Sequence, residues 1–338
     1  MRTMDGMEQR RLGTHNGLTT SAIGLGCMGL SQGYGPTDDE TSTRTIHAAL
    51  DAGITLFDTA MSYGQGRNEA LLGHALHGFP QAQIATKFGI ARRESGVVLD
   101  AHPDRVRGYC EASLRRLGRE IIDLYYLHRV DPDVPLADTI GAMSTLVDAG
   151  LVRHLGVSEV TAQQLEEAHR VHPIAAVQFE WSLMWREPEH NLIPEARRLG
   201  IGLVPYSPLG RGLLTAALER HEIPQSTFRA MDPRFTGEAL EGNLRQIRVL
   251  QQLARGLGVS AGQLALAWLL AQGDDVVPIP GTRSPQRVMD NAAAARILLD
   301  DGALNDLKAA VPDSGWLGDR RSFAVPVTKR PKSGPVKS

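Results

Sequence analysis

Short, continuous apolar runs alternate with longer amphipathic stretches along most of this chain. Continuous apolar runs are typical of parallel strands covered on both faces, and amphipathic stretches predict helices packed outside them. We predict eight strands, at residues 21–25, 54–57, 84–86, 121–127, 152–157, 174–179, 201–205 and 276–280. We predict helices from Asp38 or Asp39 to residue 50, and at 68–76, 103–117, 136–148, 161–171, 194–199, 238–257, 260–271, 285–294 and 301–310.

A glycine recurs between a predicted helix and the next strand, at Gly53, Gly118, Gly150 and Gly200. Glycine suits the left-handed residue that often ends a helix, so these positions mark repeated units. Such units allow either an open doubly wound sheet or a closed barrel. Eight roughly even units over 338 residues favour an α/β fold of the (β/α)8 TIM barrel type.

An N-terminal β-hairpin is predicted before the first strand, because Asn16-Gly17 lies between short extended runs at 10–12 and 18–20. No stretch resembles a linker between domains, so we predict one barrel domain over residues 1–327. Residues 328–338 are rich in Lys, Pro, Gly and Ser, which predicts a disordered basic tail.

Composition restricts the classes of protein and partner. The chain is 42% hydrophobic and 22% charged with a net charge of -2, so it is globular and has no strong field for nucleic acid or anionic membranes. Two cysteines, Cys27 and Cys110, cannot form a disulfide framework. Residues 1–11 lack the apolar core of a signal peptide, and the apolar run 264–271 is too short to span a bilayer. We expect a cytoplasmic protein with a small-molecule substrate and neither nucleic-acid nor membrane partners; the sequence leaves its oligomeric state open.

Gly24, Gly26 and Gly29 match the G-x-G-x-x-G pattern of dinucleotide-binding folds. That pattern requires a helix to open at its third glycine, whereas residues 30–36 contain two glycines and a proline and cannot start one. We therefore expect these glycines to let a loop pass close to a ligand.

Ionisable side chains stand at the ends of three successive predicted strands, Asp58, Lys87 and His128, with Tyr63 in the loop after Asp58. The catalytic groups of a barrel lie at the C-terminal ends of its strands. Taken singly, the four would be a loop cap, a lysine reaching solvent, a hydrogen-bonded core histidine and an exposed aromatic. Together they are complementary, because a buried Lys87 ammonium needs the counter-charge that Asp58 supplies. A cation near Tyr63 would lower its pKa from about 10, so that the phenol exchanges a proton near neutral pH.

These residues belong to motifs that extend over nearly the whole predicted barrel, from Leu25 to Asn291. The motifs are Phe57-Asp58-Thr59-Ala60, Tyr63-Gly64, Asn68-Glu69, Thr86-Lys87, Leu127-His128, Gly156-Val157-Ser158 and Tyr206-Ser207-Pro208-Leu209-Gly210. In them the chain resembles the aldo-keto reductases, in particular the branch with channel β-subunits and pyridoxal reductases. The resemblance implies a (β/α)8 barrel with an opening hairpin and reversible, NADPH-dependent reduction of aldehydes or ketones to alcohols.

The resemblance also implies a catalytic tetrad, which is complete in this sequence. Tyr63 is the general acid that protonates the developing alkoxide. Lys87, paired with Asp58, tunes that acid, and His128 positions the carbonyl.

The cofactor implied by the resemblance is NADP. Ser158 and Gln178 hold the nicotinamide carboxamide, and Tyr206 stacks on the nicotinamide ring. The residues expected to bind the cofactor are Gly26, Met28, Ser158, Gln178, Tyr206, Ser207, Leu209, Gly210, Gly281, Thr282, Arg283, Arg287 and Asn291.

The last strand end feeds a helix whose N-terminal amides suit an anion, and Arg283 and Arg287 add forked cations that match a phosphate. The family places the adenosine phosphate of NADP here, with Asn291 reaching the adenine. Many members have Lys where this chain has Gly281, and Arg283 is expected to take over that charge. The alternative is a solvated helix start with two surface arginines.

Two residues near the site leave alternatives open. Many family members have Asn where this chain has Glu159, so Glu159 either contacts the amide or faces away. Trp181 is either barrel packing or a wall of the substrate site.

Two other functions remain as alternatives. One is a non-catalytic, nucleotide-binding regulatory subunit, as for potassium channels. The other is a lyase or isomerase with a Schiff-base Lys87, which the neighbouring Asp58 opposes. We expect no metal site, because the histidine pairs His74/His77 and His169/His172 have no further ligands near them in sequence.

Substrate choice is assigned to three loops, at residues 31–36, 92–102 and 213–237. We expect the last loop to close over cofactor or substrate with Arg229, Arg234 and Phe235.

Overall fold

A computed structural model of the protein describes residues 6–15, 17–94, 96–218 and 228–320, so Asn16 and the predicted tail 328–338 lie outside the described residues. The described strands are β1 (Gln9–Leu12), β2 (Leu18–Ser21), β3 (Leu25–Gly26), β4 (Leu56–Asp58), β5 (Gln83–Phe88), β6 (Ile90–Arg93), β7 (Gly96–Leu99), β8 (Ile122–Leu127), β9 (Val152–Ser158), β10 (Ile174–Glu180) and β11 (Gly202–Tyr206). Seven of them form one parallel sheet in the order β11-β10-β9-β8-β5-β4-β3.

Helices follow the strands of this sheet, and all ten predicted helices are confirmed to within two residues at each end. Asp38 caps the first helix by accepting a hydrogen bond from the Thr41 amide at 2.8 Å. Gly53, Gly118 and Gly150 have positive φ, as their positions at helix ends predict. The described helices are α1 (Asp39–Asp51), α2 (Arg67–Ala75), α3 (Pro103–Leu117), α4 (Leu136–Asp148), α5 (Ala162–Val171), α6 (Leu192–Arg198), α7 (Gly237–Gly256), α8 (Ala261–Leu270), α9 (Pro285–Ala293) and α10 (Asp301–Ala310).

The predicted strand at 276–280 is replaced by a segment that makes strand-like contacts on both sides. The amides of Val277 and Ile279 donate to β11, at 2.8 and 3.0 Å. The amides of Gly24 and Gly26 donate to the carbonyls of Pro278 and Pro280, at 3.0 and 3.3 Å. Because prolines have no amide hydrogen, this segment cannot donate in return at 278 and 280, and the regular ladder is interrupted. The segment nevertheless joins the two edges of the sheet, so the (β/α)8 barrel is confirmed as nearly closed.

The prediction for the first strand is wrong in its bounds. The strand predicted at 21–25 is instead the two-residue β3, because Ser21 still pairs with Gln9 in the hairpin. A 3-10 turn at Met28–Leu30 follows, and α1 begins only at Asp39. The failure of the dinucleotide-binding pattern is thereby confirmed.

The predicted hairpin is confirmed as β1 paired with β2, and it covers the N-terminal end of the barrel. Leu12 and Leu18 of the hairpin pack in one apolar cluster with inward side chains of the strands, such as Leu56, Leu124 and Val204. Outward side chains pack instead against the helices in a second, larger cluster. The hairpin therefore seals the bottom of the barrel and leaves the opposite end for ligands.

A second hairpin, β6 with β7, occupies part of the predicted loop at 92–102 and was missed. Its base is fixed by Asp100, which accepts hydrogen bonds from Arg93, from Arg105 at 2.6 Å and from Tyr109 at 2.6 Å. Among the described residues, no single helix is long and apolar enough to cross a membrane; α7 and α8 reach that length only as a pair bent by 83°.

Candidate active site

The predicted pair of Asp58 and Lys87 is confirmed at the C-terminal ends of β4 and β5. Lys87 donates a short hydrogen bond to Asp58 Oδ1 and a second to the Thr59 carbonyl at 2.7 Å. Gln178 reaches the same carboxylate from β10 and donates to Asp58 Oδ2 at 2.7 Å. Both ions are at most 3% exposed, so each depends on the other for its charge. Burial raises the pKa of Asp58 and lowers the pKa of Lys87, and the attraction between the two charges opposes both shifts.

Tyr63 and His128 lie beside this pair. The Lys87 ammonium is 5.3 Å from the centre of the Tyr63 ring. The Tyr63 and His128 rings meet edge to face, with their centres 5.8 Å apart. The structure therefore brings together the four side chains that the sequence placed on separate strands and a loop.

The expected lowering of the pKa of Tyr63 is wrong for this structure. Burial raises the pKa of the phenol well above its ordinary value, and the charge of Asp58 raises it further. Arg129, rather than Lys87, is the cation that chiefly opposes the rise. The Lys87 charge is already compensated by Asp58, which leaves little of it to act on the phenol. Tyr63 is thus held as a protonated acid over the neutral range.

His128 is held neutral, and one of its ring nitrogens makes no hydrogen bond with the described residues. Burial, together with the charges of Arg129 and Lys87, holds the pKa of this imidazole well below its usual range. Its Nδ1 is buried and has no hydrogen-bond partner among the described residues. Because a buried polar atom without a partner costs free energy, this position suits a ligand that supplies one.

The two residues expected to hold the carboxamide already have protein partners. Ser158 Oγ accepts a hydrogen bond from Arg129 at 3.2 Å, and Arg129 also donates to the His128 carbonyl at 2.6 Å. Gln178 donates to Asp58. Ser158 and Gln178 are opposite each other in the register of β9 and β10, so both lie at the open end of the barrel. Arg129 therefore links His128, which follows β8, to Ser158 at the end of β9. The sequence analysis missed this role.

Tyr206 ends β11, and its ring packs against the apolar core inside the barrel while remaining partly exposed. Its hydroxyl accepts a hydrogen bond from Arg320 at 2.7 Å. Arg320 also forms ion pairs with Glu159 at 2.5 Å and Glu180 at 3.0 Å. The Glu159 carboxylate is turned toward Arg320, from a backbone with a φ of 55°.

Glu180 is the centre of a buried charge cluster that the sequence analysis also missed. It accepts a hydrogen bond from Arg234 at 2.5 Å, and Arg234 in turn binds Asp232 at 2.6 Å. Burial alone would raise the pKa of Glu180, but the nearby Arg234 and Arg320 guanidinium groups outweigh it and lower the pKa to about 2. Glu180 directly follows the strand predicted at 174–179, but nothing in the local sequence indicated that two distant arginines meet it.

Comparisons with known proteins place this geometry in a family. A model described as the aldo/keto reductase family matches residues 22–312. The chain belongs to the aldo/keto reductase family. It is 43% identical over 314 residues to the "Probable aldo-keto reductase 1" of Glycine max, covering 92% of this chain and 90% of that protein.

Solved structures agree with this assignment. The chain superposes on the glycerol dehydrogenase of Gluconobacter oxydans with a TM-score of 0.82 at 32% identity, over 90% of this chain and 96% of the other. It superposes on an aldo-keto reductase of Bacillus halodurans with a TM-score of 0.75 at 28% identity, over 91% and 97% of the two chains. Members of the aldo/keto reductase family are oxidoreductases that act on carbonyl compounds and generally use nicotinamide cofactors.

In this aldo/keto reductase, Gly26 and Gly281 lie where two backbone segments approach each other closely. A Cβ added at Gly26 would lie 2.7 Å from the Ile279 carbonyl oxygen, and one at Gly281 would lie 2.9 Å from the Gly26 carbonyl oxygen. Both distances are too short for a side chain. The glycines therefore allow β3 to approach the closing segment 276–280, and Lys cannot stand at 281 without a shift of the backbone.

Arginines converge on the other side of the mouth. The Arg229 guanidinium lies 5.0 Å from the centre of the Tyr34 ring, and Arg283 donates to the Tyr34 carbonyl at 2.8 Å. Burial and the positive charges of Arg283, Arg287 and Arg211 together lower the pKa of Arg229, although Tyr34 opposes this shift. A concentration of like charges is unfavourable unless an anion joins it, so this set fits a cofactor with phosphate groups.

The helix start at α9 is less suited to an anion than the sequence predicted. Pro285 has no amide hydrogen, and the Arg287 amide is directed at the Ser284 hydroxyl at 3.4 Å. At the start of α9, arginine side chains rather than free backbone amides therefore supply the positive charge. Arg283 itself is engaged with the loop after β3, whereas Arg287 is exposed.

Other predicted cofactor residues are spread around the same rim of the barrel. Ser207, Leu209 and Gly210 form the turn after β11, in which the Gly210 amide donates to the Ser207 carbonyl at 2.9 Å. Met28 and Thr282 are partly buried, and Asn291 is 9% exposed on α9.

Trp181 is structural packing rather than an open wall. Its ring stacks on Phe179 and meets Trp268 of α8 edge to face, at 6.1 and 5.9 Å between ring centres. Its indole donates to Glu189 at 2.9 Å. Of the loop expected to close over the site, residues 219–227 lie outside the described residues. The described part places Arg229 at the mouth and buries Arg234 and Phe235.

Proposed function

We propose that this protein reduces aldehydes or ketones to alcohols with NADPH, and catalyses the reverse oxidation when concentrations favour it. The observation that carries the proposal is the grouping of a protonated phenol, a neutral imidazole and a compensated lysine at the open end of the barrel. Small-molecule carbonyl compounds are the proposed substrates, and the proposed location is the cytoplasm.

Tyr63 is the proposed general acid. Because the pKa of its phenol is raised, the proton is present at neutral pH and is available for a carbonyl oxygen that gains negative charge. Lys87 is too close to Asp58 to serve as an amine nucleophile, which argues against the Schiff-base alternative. Its proposed role is to hold Tyr63 in place, through an ammonium that lies 5.3 Å from the centre of the Tyr63 ring.

His128 is the proposed orienting group for the substrate. A neutral imidazole with an unused ring nitrogen is able to donate a hydrogen bond to a carbonyl oxygen beside Tyr63. Two converging donors polarise the carbonyl and fix its approach, which lowers the barrier by positioning and electrostatics.

NADPH would be held by Ser158, Gln178 and Tyr206 at its nicotinamide end and by Arg229 and Arg287 at its phosphates. When bound, it supplies the hydride that the carbonyl carbon receives. The comparisons offer no support for the non-catalytic regulatory alternative.

The test is NADPH oxidation with a panel of aldehydes, such as nitrobenzaldehydes, by wild-type protein and Tyr63→Phe. General acid catalysis contributes roughly 10²- to 10⁴-fold, so we expect kcat of the variant to fall by at least 10²-fold. Tyr109→Phe is the control, since that phenol binds Asp100 beside the second hairpin and should keep wild-type turnover. Wild-type protein that binds NADPH without turnover would contradict the enzymatic proposal, and full activity of Tyr63→Phe would contradict the assigned acid.

The preference for NADPH is tested with Arg287→Ala. A charge-assisted hydrogen bond to a phosphate is worth about 1.5–3 kcal/mol, so we expect the Kd for NADPH to rise by about tenfold or more. NADH lacks that phosphate and provides the matched control, because its Kd should be unchanged. Equal effects on the two cofactors would contradict the assignment of Arg287 to the adenosine phosphate.

A further inference from the structure

Arg320 stands among the strand ends although it lies 114 residues after the end of the last sheet strand. Its side chain is 5% exposed, and its guanidinium contacts residues of three different strand ends at the mouth of the barrel. It pairs with Glu159 after β9 at 2.5 Å, with Glu180 at the end of β10 at 3.0 Å, and with the Tyr206 hydroxyl of β11 at 2.7 Å. A single side chain thus connects three consecutive strands of the proposed cofactor site.

The segment that carries Arg320 is itself fixed to the barrel. The Asn243 side chain of α7 donates to the carbonyls of Arg234 and Leu317 at 3.0 Å each, and accepts a hydrogen bond from the Leu317 amide at 2.8 Å. A Cβ at Gly318 would lie 2.9 Å from the Arg234 backbone, so the two segments touch. The position of Arg320 is therefore defined by backbone contacts as well as by its charge.

The charges around Arg320 explain why it stays in place. Glu180 is shared between Arg320 and Arg234, and Glu159 faces Arg320. A buried guanidinium needs both counter-charge and hydrogen-bond acceptors, and these residues supply both. With the two carboxylates holding the guanidinium, its contact with Tyr206 has a fixed direction.

We propose that Arg320 is a positioning residue for cofactor binding, which holds the Tyr206 ring in the orientation that stacks on the nicotinamide. This ring packs against the interior core, and its hydroxyl is anchored by Arg320. A ring fixed before binding loses less conformational freedom when the cofactor arrives, and this strengthens binding. The inference rests on the proposed function, because it takes Tyr206 as the stacking residue.

The test compares Arg320→Met, Tyr206→Phe and the double variant, each by fluorescence titration with NADPH, by steady-state kinetics and by thermal unfolding. We expect Arg320→Met to raise the Kd for NADPH by about tenfold and to raise the KM for NADPH in parallel, with kcat changed by less than about threefold. Tyr206→Phe keeps the ring and both carboxylate pairs of Arg320 but removes the anchored oxygen. It should raise the Kd by about threefold to tenfold. In the double variant the two effects should be less than additive, because both remove the same contact.

Arg10→Met is the matched control for a purely structural role. Arg10 is a buried arginine at the opposite end of the barrel, where it donates to three carbonyl oxygens of residues 270–276. We expect its replacement to lower the midpoint of thermal unfolding and to leave the Kd for NADPH unchanged. If Arg320→Met behaves like Arg10→Met, with lower stability and wild-type affinity, the proposal is wrong.

Two further outcomes separate this inference from the proposed function. If Arg320→Met does not fold, Tyr206→Phe decides the matter alone, and wild-type affinity in that variant overturns the inference. If wild-type protein itself fails to bind NADPH or NADH, the proposed function fails. If wild-type protein binds and turns over but both variants retain its affinity, only the positioning role fails.

Discussion

The fully buried Lys87 illustrates how one residue depends on two others. Its ammonium has Asp58 as counter-charge and the Thr59 carbonyl as a second acceptor, and Gln178 satisfies the other oxygen of Asp58. Removal of any one would leave a buried charge or polar group without its partner, which is costly. The same compensation explains why Lys87 does not lower the pKa of Tyr63, and why burial decides it.

The protonation states of Tyr63 and His128 predict a pH profile. The pKa of Tyr63 lies above its ordinary 10.0 and that of His128 lies well below its ordinary 6.5. The phenol is therefore protonated below pH 10.0 and the imidazole is neutral above pH 6.5. We expect kcat/KM for carbonyl reduction to be constant between these limits, measured with a neutral aldehyde at saturating NADPH. A decline centred between pH 7 and 9, absent in Tyr63→Phe, would instead support the lowered pKa that the sequence suggested.

Among the elements, the segment 276–280 most affects the closure of the barrel. It contributes carbonyl acceptors toward β3 and amide donors toward β11, and its prolines remove the donors that a regular strand would offer to β3. Because the segment cannot donate these hydrogen bonds to β3, close packing against Gly24 and Gly26 has to hold it in place.

Gly26→Ala tests this packing. The added methyl group would meet the Ile279 carbonyl at 2.7 Å, and such overpacking costs about 1–3 kcal/mol of unfolding free energy. Gly108→Ala is the control, since Gly108 lies inside α3 and, apart from its chain neighbours and the backbone of its own helix, no atom of the described residues is within 4 Å of the added Cβ. That change should stabilise the protein by about 0.5–1 kcal/mol. Urea unfolding measures both, and equal stabilities of the two variants would contradict the close approach of β3.

At the scale of the whole molecule, the charge cluster around Glu180 joins parts of the chain that are far apart in sequence. It connects β10 with the 3-10 turn at Pro233–Phe235 through Arg234, and with the C-terminal segment through Arg320. Because the pKa of Glu180 is lowered from 4.5 to about 2, its charge stabilises the folded state above pH 4.5. That contribution is lost as the pH falls from 4.5 through about 2.

Glu180→Gln should therefore be destabilising in a pH-dependent manner. Breaking a buried ion pair costs about 3–5 kcal/mol, so we expect a deficit of this size in unfolding free energy at pH 7. The deficit should shrink as the pH falls below 4.5, because wild-type protein then loses the same charge. Urea unfolding at pH 7, 5, 4 and 3 measures this. Glu111→Gln is the control: it breaks an exposed pair with Arg107 and should cost less than about 0.5 kcal/mol of unfolding free energy at each pH. A deficit for Glu180→Gln that does not vary with pH would contradict the stabilising role of the Glu180 charge.

The sequence by itself determined the helices, most of the strands and the grouping of Asp58, Lys87 and His128. These follow from local patterns, since periodic burial defines each element and parallel strands bring their C-terminal ends to one edge. It also indicated the pair of Lys87 with Asp58, because a buried ammonium requires a counter-charge.

Only the tertiary structure decided the pKa of Tyr63, the orientation of Glu159 and the presence of Arg320 at the site. The pKa depends on how deeply the phenol is buried, which no local pattern records. The orientation of Glu159 and the presence of Arg320 depend on which loop and which C-terminal segment meet above the barrel. Contacts between residues more than a hundred positions apart leave no local pattern in the sequence around either partner. The sequence therefore defined which groups carry the proposed chemistry, whereas the packing of distant segments defined their charge states and their support.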